Sequence, residues 1–244
     1  MMDLRTALRN IHADPRWWRK IMIGGALMFT IIGYPFAAGM VVENMDNARK
    51  GYPTPLPPWG DWSSRYLIGL FAGLVDFLFF VLPMLLAAFL FFCVGIGSLV
   101  AGAEEVTQRV TPLIVGTVVV FLAVMFLVGV SPVARLIFVE EGSPERAMSA
   151  ASLHEALRPG ARRVYLRARL ASLPAYLPTL ALGGTTLLVA QAPFAYALPA
   201  VIVLCWLMLC ALLYAHLAVG QIYAAAAKLL EAQGLSRLES QTGL

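Results

Sequence analysis

The run YLIGLFAGLVDFLFFVLPMLLAAFLFFCVGIGSLVAGA, residues 66–103, decides the fold class, because Asp76 is its only charged side chain. A transmembrane helix needs about 20 consecutive apolar residues, and this run is well beyond that length. The composition of the 244-residue chain agrees, with 60% hydrophobic and 13% charged residues. Soluble domains carry roughly 25% charged residues, because their surface faces water. The sequence therefore predicts an all-α integral membrane protein.

Four other stretches are apolar enough to add membrane segments to this one. We predict a single membrane domain over residues 1–244, built as a bundle of five or six transmembrane helices. The run 66–103 is too long for one ordinary span and barely long enough for two, so one kinked helix and a helical hairpin both fit. The predicted membrane segments are 21–42, 66–103, 112–130, 170–192 and 195–223.

The positions of the basic residues predict the orientation of the chain. Five lysines and arginines lie in residues 1–20, and seven arginines lie in residues 133–169. Short basic segments stay in the cytoplasm, so an even number of crossings should separate these two. A hairpin at 66–103 meets that condition and favours six crossings of the cell (inner) membrane, with both termini cytoplasmic. The net charge of +4 thus indicates topology signals rather than a nucleic-acid-binding surface.

The two basic segments are themselves predicted to be helical. Residues 1–20 should begin with an interfacial amphipathic helix, because apolar residues recur there with helical spacing. Residues 133–169 should form a cytoplasmic amphipathic segment in which Ser143 caps a helix that starts at Pro144. The apolar stripe of the first helix comprises Leu4, Ala7, Leu8 and Ile11.

Several short stretches carry a family resemblance. They are LPPWGDW at 56–62, LIGL at 67–70, GY at 33–34 and HLAVGQIY at 216–223. Together they resemble a prokaryotic multi-pass family, domain of unknown function 4013. Residues 132–157, with EGSP at 141–144, resemble the cytoplasmic loop of six-helix membrane domains, one of which is attached to glycerophosphodiester phosphodiesterases. The resemblance implies a helical membrane domain and implies no activity.

Two ionisable side chains within apolar runs are candidate site residues. Asp76 is a functional-site candidate because a charge in the membrane is costly, and its alternative is a partner in the bundle or a place near the interface. His216 could hold a haem or pigment, or could form a hydrogen bond between helices with Gln221 or Tyr214. His154-Glu155 begins like a zinc-protease motif, but the second histidine is absent. We therefore predict no catalytic residue, no metal site and no cofactor.

Small and basic residues suggest contacts with protein and lipid. Small residues spaced by four permit close packing of helices, and the sequence predicts this for Gly69, Gly73, Gly97 and Ala101. Glycines at 24 and 25 belong to the same class. An arginine-rich stretch should bind lipid headgroups or fix topology. Its members are Arg158, Arg162, Arg163, Arg167 and Arg169.

The expected function is a non-enzymatic scaffold or accessory subunit that packs against other membrane proteins, for example in a bioenergetic complex. Its expected partners are membrane lipids and other membrane subunits, with no nucleic acid. One alternative is a small-solute transporter or channel-like protein, because prolines can break helices around a midplane site. These prolines are Pro35, Pro83, Pro174 and Pro178. A second alternative is a pigment- or haem-carrying subunit that uses His216.

Overall fold

The computed structural model describes residues 3–30, 32–101, 104–191 and 197–234, with the backbone alone for 97–101, 104–107 and 109. Within these ranges the protein is helical and has no strand. The helices are α1 Leu4–His12, α2 Trp17–Leu27, α3 Tyr34–Lys50, α4 Trp62–Asp76, α5 Leu82–Ala101, α6 Glu104–Val128, α7 Val130–Glu141, α8 Pro144–Met148, α9 Ala151–Leu157, α10 Ala161–Ser172, α11 Leu177–Ala190 and α12 Ala197–Ala232.

Four helical runs are long and apolar enough to cross a membrane. The first joins α4 to α5, the second is α6, the third joins α10 to α11, and the fourth is α12. Their outward faces carry large exposed apolar side chains, as expected for helices that contact lipid. The four runs are Trp62–Ile96, Val110–Val128, Ala161–Ala190 and Ala197–Ala232. The chain is therefore a helical membrane protein, as the composition predicted.

The preferred hairpin at 66–103 is wrong. The helix continues from α4 into α5 through one π-helical turn, Phe77–Val81. Pro83 lies at the start of α5, just after that turn. Proline has no N–H to donate, and the hydrogen-bond ladder is already irregular there, so the helix passes the proline without reversing. The prediction of six crossings rested on this hairpin.

The predicted span 21–42 is not one helix either. α2 ends at Leu27, and α3 begins at Tyr34 with Pro35 in its first turn. Proline suits that position, so Pro35 starts a helix instead of bending one. Thr30 closes the intervening turn by accepting a hydrogen bond from the N–H of Gly33 at 2.8 Å. Neither helix belongs to the four long apolar runs.

The packed core lies toward one end of these runs. Its centre is the C-terminal half of α12, where Leu217, Ile222 and Tyr223 are fully buried. α1, α3, α7 and α10 pack around that half. α1 has the predicted stripe, with Ala7 and Ile11 buried, but α12 covers this face. By contrast, α5, α6 and α11 keep most apolar side chains exposed, and most of the first half of α12 is partly buried.

The segment predicted as a cytoplasmic amphipathic loop contributes to this core. α7 is buried along most of its length, including Val133 and Leu136. The predicted helix start is confirmed: the side chain of Ser143 accepts a hydrogen bond from the N–H of Arg146, and Pro144 opens α8. The helix before Pro159-Gly160 ends at Leu157.

A buried ion pair anchors the N-terminal segment, and we predict that acid releases it. Lys20 Nζ lies 2.5 Å from Asp14 Oδ2 and 3.1 Å from the carbonyl oxygen of Leu56. Burial raises the pKa of Asp14, but hydrogen bonds from Lys20 and from the N–H of Arg16 outweigh it and hold the pKa below 3.8. The folded carboxyl group binds its proton less tightly than the unfolded one, so its stabilisation is present at neutral pH and is lost as the pH falls below 3.8. The protection of α1 and α2 against hydrogen exchange, measured relative to the intrinsic exchange rate at each pH, should fall over that range.

Asp14→Asn should reproduce the acid effect at pH 7, with a loss of about 1–3 kcal/mol. The matched control is Asp46→Asn, which breaks the exposed pair of Asp46 with Lys50 and should change little. Equal exchange of α1 and α2 in wild type and Asp14→Asn would show that this pair does not hold the segment.

Candidate functional site

Polar side chains gather where the four apolar runs meet the packed core. Asp76 ends α4, directly before the most apolar part of its helix. Arg135 lies on α7, which follows α6. Arg169 lies on α10, one residue before Leu170, where the predicted span 170–192 begins. His216 lies near the middle of α12. Four residues from different helices therefore come together and line one cavity.

Asp76 is the acceptor at the centre of this group. Its Oδ2 accepts hydrogen bonds from Arg135 Nη2 and, at 2.9 Å, from the Tyr34 hydroxyl. Its Oδ1 accepts from the Ser131 hydroxyl at 2.5 Å. Three donors, one of which is the cation Arg135, compensate the cost of removing a carboxylate from water. The structure thus gives Asp76 a partner within the bundle, which was one of the two alternatives for this residue.

Sequence reasoning did not identify these partners of Asp76. Arg135 was one of seven arginines counted for topology, and the structure places it at 4% exposure, inside the bundle. A signal was present in the sequence, since Arg135 is the only charged residue in the apolar stretch 130–139. An isolated cation in an apolar helix needs an anion nearby. Asp76 is the acidic residue within the predicted membrane segments, so it was the candidate partner.

Arg169 is a second buried arginine, and its charge has no acidic partner among the described contacts. Its side chain is 2% exposed. Nε donates to the carbonyl oxygen of Phe126 at 2.6 Å, and the guanidinium carbon lies 3.8 Å from the Phe126 ring centroid. Nη1 is buried and has no hydrogen-bond partner. A buried donor without a partner is costly, and Arg169 is thus a buried cation that its described contacts leave incompletely satisfied.

The other members of the predicted arginine cluster lie elsewhere. Arg162, Arg163 and Arg167 are exposed on α10, while Arg158 forms an ion pair with Glu155 at 3.1 Å. The exposed arginines suit the predicted contact with headgroups or the topology signal. Arg169, however, is turned into the protein.

A cavity of about 240 Å³ opens between these side chains. Its described wall carries one formal negative charge, on Asp76, and two positive charges, on Arg135 and Arg169. The cavity therefore has a net positive charge, which favours an anion. Its wall comprises Val41, Met45, Asp76, Phe80, Val81, Phe126, Ser131, Pro132, Arg135, Arg169, Tyr176, His216, Val219 and Gly220.

His216 faces this cavity but does not make the predicted hydrogen bonds. Its ring packs edge-on against Tyr176, with centroids 5.7 Å apart. Tyr214 instead shares a hydrogen bond of 2.9 Å with His12, and Gln221 donates to Asn44 at 3.2 Å. Among the described residues, no group of three or more histidine, cysteine or acidic side chains could hold a metal. Drug-sized ligands occupy pockets of about 300–1,000 Å³, so this cavity suits a group smaller than a macrocycle.

An apolar groove of about 670 Å³ adjoins the cavity along α11. The cavity and the groove share Phe126, Tyr176 and His216. The groove therefore begins where the polar wall ends. Its wall comprises Phe126, Leu173, Pro174, Tyr176, Leu177, Thr179, Leu180, Leu212 and His216.

Glycine contacts hold α4 against α3 and so place Asp76 beside Tyr34. A Cβ on Gly69 would lie 1.6 Å from the carbonyl oxygen of Pro35, and a Cβ on Gly73 would lie 3.3 Å from the Tyr34 ring. The packing of Gly97 and Ala101 lies outside the described residues. Glycines at 24 and 25 bring α2 close to α12 in the same way.

The LPPWGDW stretch fixes the start of α4. Arg65 Nη2 lies 2.6 Å from Glu43 Oε2 and donates to the carbonyl oxygen of Pro58 at 2.7 Å. Its guanidinium carbon lies 5.2 Å from the Trp59 ring, which stacks on Trp62 at 5.3 Å. These contacts secure the first turn of the helix that ends at Asp76. The stretch thus has a structural role in positioning the candidate site.

The family comparison agrees with the sequence motifs. The family model described as "Protein of unknown function (DUF4013)" matches residues 22–189, which is more than half of the chain. That range includes Tyr34, Asp76, Arg135 and Arg169. No curated protein and no solved structure matches the chain.

Proposed function

The chain belongs to the DUF4013 family, and on that premise we propose that it is a transporter-class membrane protein that binds a small polar solute in the cavity between Asp76 and Arg169. The observation that carries this proposal is Arg169, a buried cation that lines the cavity and has no acidic partner among the described contacts. Asp76 and Arg135 form an ion pair in the same cavity and neutralise each other's charge. Arg169 leaves a positive charge for a ligand to neutralise.

Irregular turns beside the cavity support the proposal. The π-helical turn Phe77–Val81 follows Asp76 directly, and its residues Phe80 and Val81 line the cavity. The 3₁₀ turn Leu173–Tyr176 follows Arg169 and contributes Tyr176 to the wall. Transporters build their solute sites from interrupted helices, because irregular backbone is tolerated in a membrane where it lines a cavity.

We propose a topology in which the site lies near the cytoplasmic end of the spans. α5, α6, α11 and the first half of α12 would form four crossings, with the basic segments 1–20 and 133–169 on the cytoplasmic side. An even number of crossings then separates these two segments without the hairpin. Both termini would be cytoplasmic in the inner membrane, and α1 would lie at the interface.

The decisive experiment fills the cavity with a larger side chain. Val81 lines the cavity with its side chain partly exposed, so Val81→Trp should fill the space and leave folding intact. Mass spectrometry of small molecules released from purified wild-type protein should find a solute near one per chain. Its occupancy should fall at least about tenfold in Val81→Trp, which corresponds to about 1.4 kcal/mol.

The matched control is Val119→Trp, an exposed valine on α6 outside the cavity wall, which should retain the solute. Released small molecules identical in all three proteins would overturn the proposal. The released solute then serves as the substrate in proteoliposomes, where Asp76→Asn should reduce its flux. Flux unchanged by Asp76→Asn would argue against transport.

An accessory-subunit role is a second candidate, and the exposed spans favour it. No residue in the most apolar part of Val110–Val128 is buried. That surface could contact lipid or another membrane subunit. Native purification in mild detergent should then yield stoichiometric membrane partners, and a Phe92→Ala/Leu90→Ala surface variant should weaken their recovery. A chain that purifies alone at full yield would count against this role.

A further inference from the structure

We infer that the ligand of the cavity is the headgroup of an anionic phospholipid, whose acyl chain lies in the apolar groove along α11. This inference rests on the proposed function, because it assigns a lipid headgroup as the polar ligand of the cavity in which that function places its binding site. It follows from three features of the described residues: the charge at the cavity, the continuity of the cavity with the groove, and the position of both along the membrane-spanning helices.

The charge at the cavity matches one phosphodiester. Asp76 and Arg135 neutralise each other, so Arg169 contributes one formal positive charge without an acidic partner. A phosphodiester carries one negative charge, and arginine binds phosphate oxygens through two parallel N–H donors. Nε of Arg169 donates to the carbonyl oxygen of Phe126, so a phosphate in the cavity would have to accept from the Nη groups.

The groove continues from the cavity in the direction that an acyl chain requires. Both are bounded by Phe126, Tyr176 and His216, so a single molecule can occupy the two. Leu173 and Leu180 lie at opposite ends of the groove segment, about 10 Å apart along the helix at 1.5 Å per residue. The groove wall is almost entirely apolar, which suits a hydrocarbon chain and excludes a free aqueous anion.

The depth of the site agrees with a lipid in one leaflet. Arg169 directly precedes the apolar segment of its helix, at the end that carries the exposed Arg162 and Arg167. A headgroup bound there would lie at the level of the basic interface. Its chain would then run into the bilayer past Leu177 and Leu180, which are 61% and 69% exposed. A lipid could therefore enter sideways from the membrane.

The test measures binding of phosphatidylglycerol and phosphatidylcholine by native mass spectrometry of the full-length protein in detergent. Wild type should retain phosphatidylglycerol in preference to phosphatidylcholine. Arg169→Gln should weaken phosphatidylglycerol binding at least about tenfold, because it removes a charged donor pair. Arg167→Gln, an exposed arginine on the same helix, should change binding less than about twofold.

A second variant keeps the test valid if Arg169→Gln does not fold. Leu177→Trp fills the groove from an exposed position and should also weaken phosphatidylglycerol binding, whereas Leu188→Trp, exposed on the same helix outside the groove, should not. Equal binding of the two lipids overturns the inference. So does inorganic phosphate that displaces the lipid equally well from wild type and Leu177→Trp, because the groove would then have no role.

The outcome is distinguishable from failure of the proposed function. A small solute released from wild type and lost in Val81→Trp would stand even if phosphatidylglycerol did not bind. In that case the cavity would bind a water-soluble ligand, and only the lipid inference would fail. Absence of both signals would remove the proposed function as well.

Discussion

Gly69→Ala is expected to destabilise the protein by about 3 kcal/mol or more, because a Cβ at this position would lie 1.6 Å from the carbonyl oxygen of Pro35. The obstructing atom belongs to the backbone of α3, so no side-chain rotation can relieve the contact. α3 and α4 would have to separate, and the hydrogen bond between Tyr34 and Asp76 would be lost with them. The effect is measured as the change in the thermal unfolding midpoint in detergent, with size-exclusion chromatography used to detect the fraction of protein that remains folded.

Gly184→Ala provides the matched control for this substitution. Gly184 also lies in a helix, but a Cβ there would meet no atom within 4 Å. Alanine has a helix propensity up to about 1 kcal/mol better than glycine, so this variant should be unchanged or slightly more stable. A similar loss in both variants would mean that Gly69 does not act through the close approach of α3.

Arg135→Leu is expected to cost about 3–5 kcal/mol, because it leaves the carboxylate of Asp76 in the bundle without its cation. Two hydroxyl donors would remain, but neither carries a charge. The double variant Asp76→Leu/Arg135→Leu removes both charges and should recover most of the lost stability. Tyr34 and Ser131 then lack their acceptor, at a cost of about 1 kcal/mol each, so the recovery should be incomplete.

A double-mutant cycle on chemical unfolding in detergent measures this coupling. Asp46→Leu/Lys50→Leu, which removes an exposed pair on α3, is the reference and should show a coupling below about 1 kcal/mol. A double variant as unstable as Arg135→Leu alone would show that charge compensation is not what holds Asp76. The double variant, if stable, would also allow ligand binding to be measured in a folded protein whose cavity retains Arg169 but has lost Asp76 and Arg135.

The class of fold could be predicted from the sequence, because a lipid-embedded chain differs from a soluble one in composition. Helix starts that depend on local chemistry could also be predicted, as Ser143 and Pro144 show. The number of crossings could not, since the length of 66–103 fits one helix or two. The predicted span 21–42 failed for a related reason: apolar composition does not show whether a helix continues past Thr30 and Gly33.

The candidate site could be predicted only in part. Asp76 and His216 stand out as ionisable residues in apolar runs, and both line the cavity. Their neighbours could not be predicted, because contacts in the folded chain join residues far apart in sequence. Asp76 meets Arg135 across 59 positions and Tyr34 across 42. Arg169 differs from Arg167 only in the helix face on which it lies, and that face depends on how α10 packs against α6 and α12.

The π-helical turn after Asp76 has a consequence for how this helix tolerates insertions and deletions. A π turn accommodates one more residue than an α-helical turn, so it rotates the following helix by about 100° relative to an uninterrupted one. α4 can therefore turn Asp76 toward the protein while α5 turns its phenylalanines outward. Deleting one residue within Phe77–Val81 would yield a regular helix of nearly the same length. In that regular helix α5 would still present the same side chains to the lipid, because the deletion removes the extra residue that the π turn accommodates.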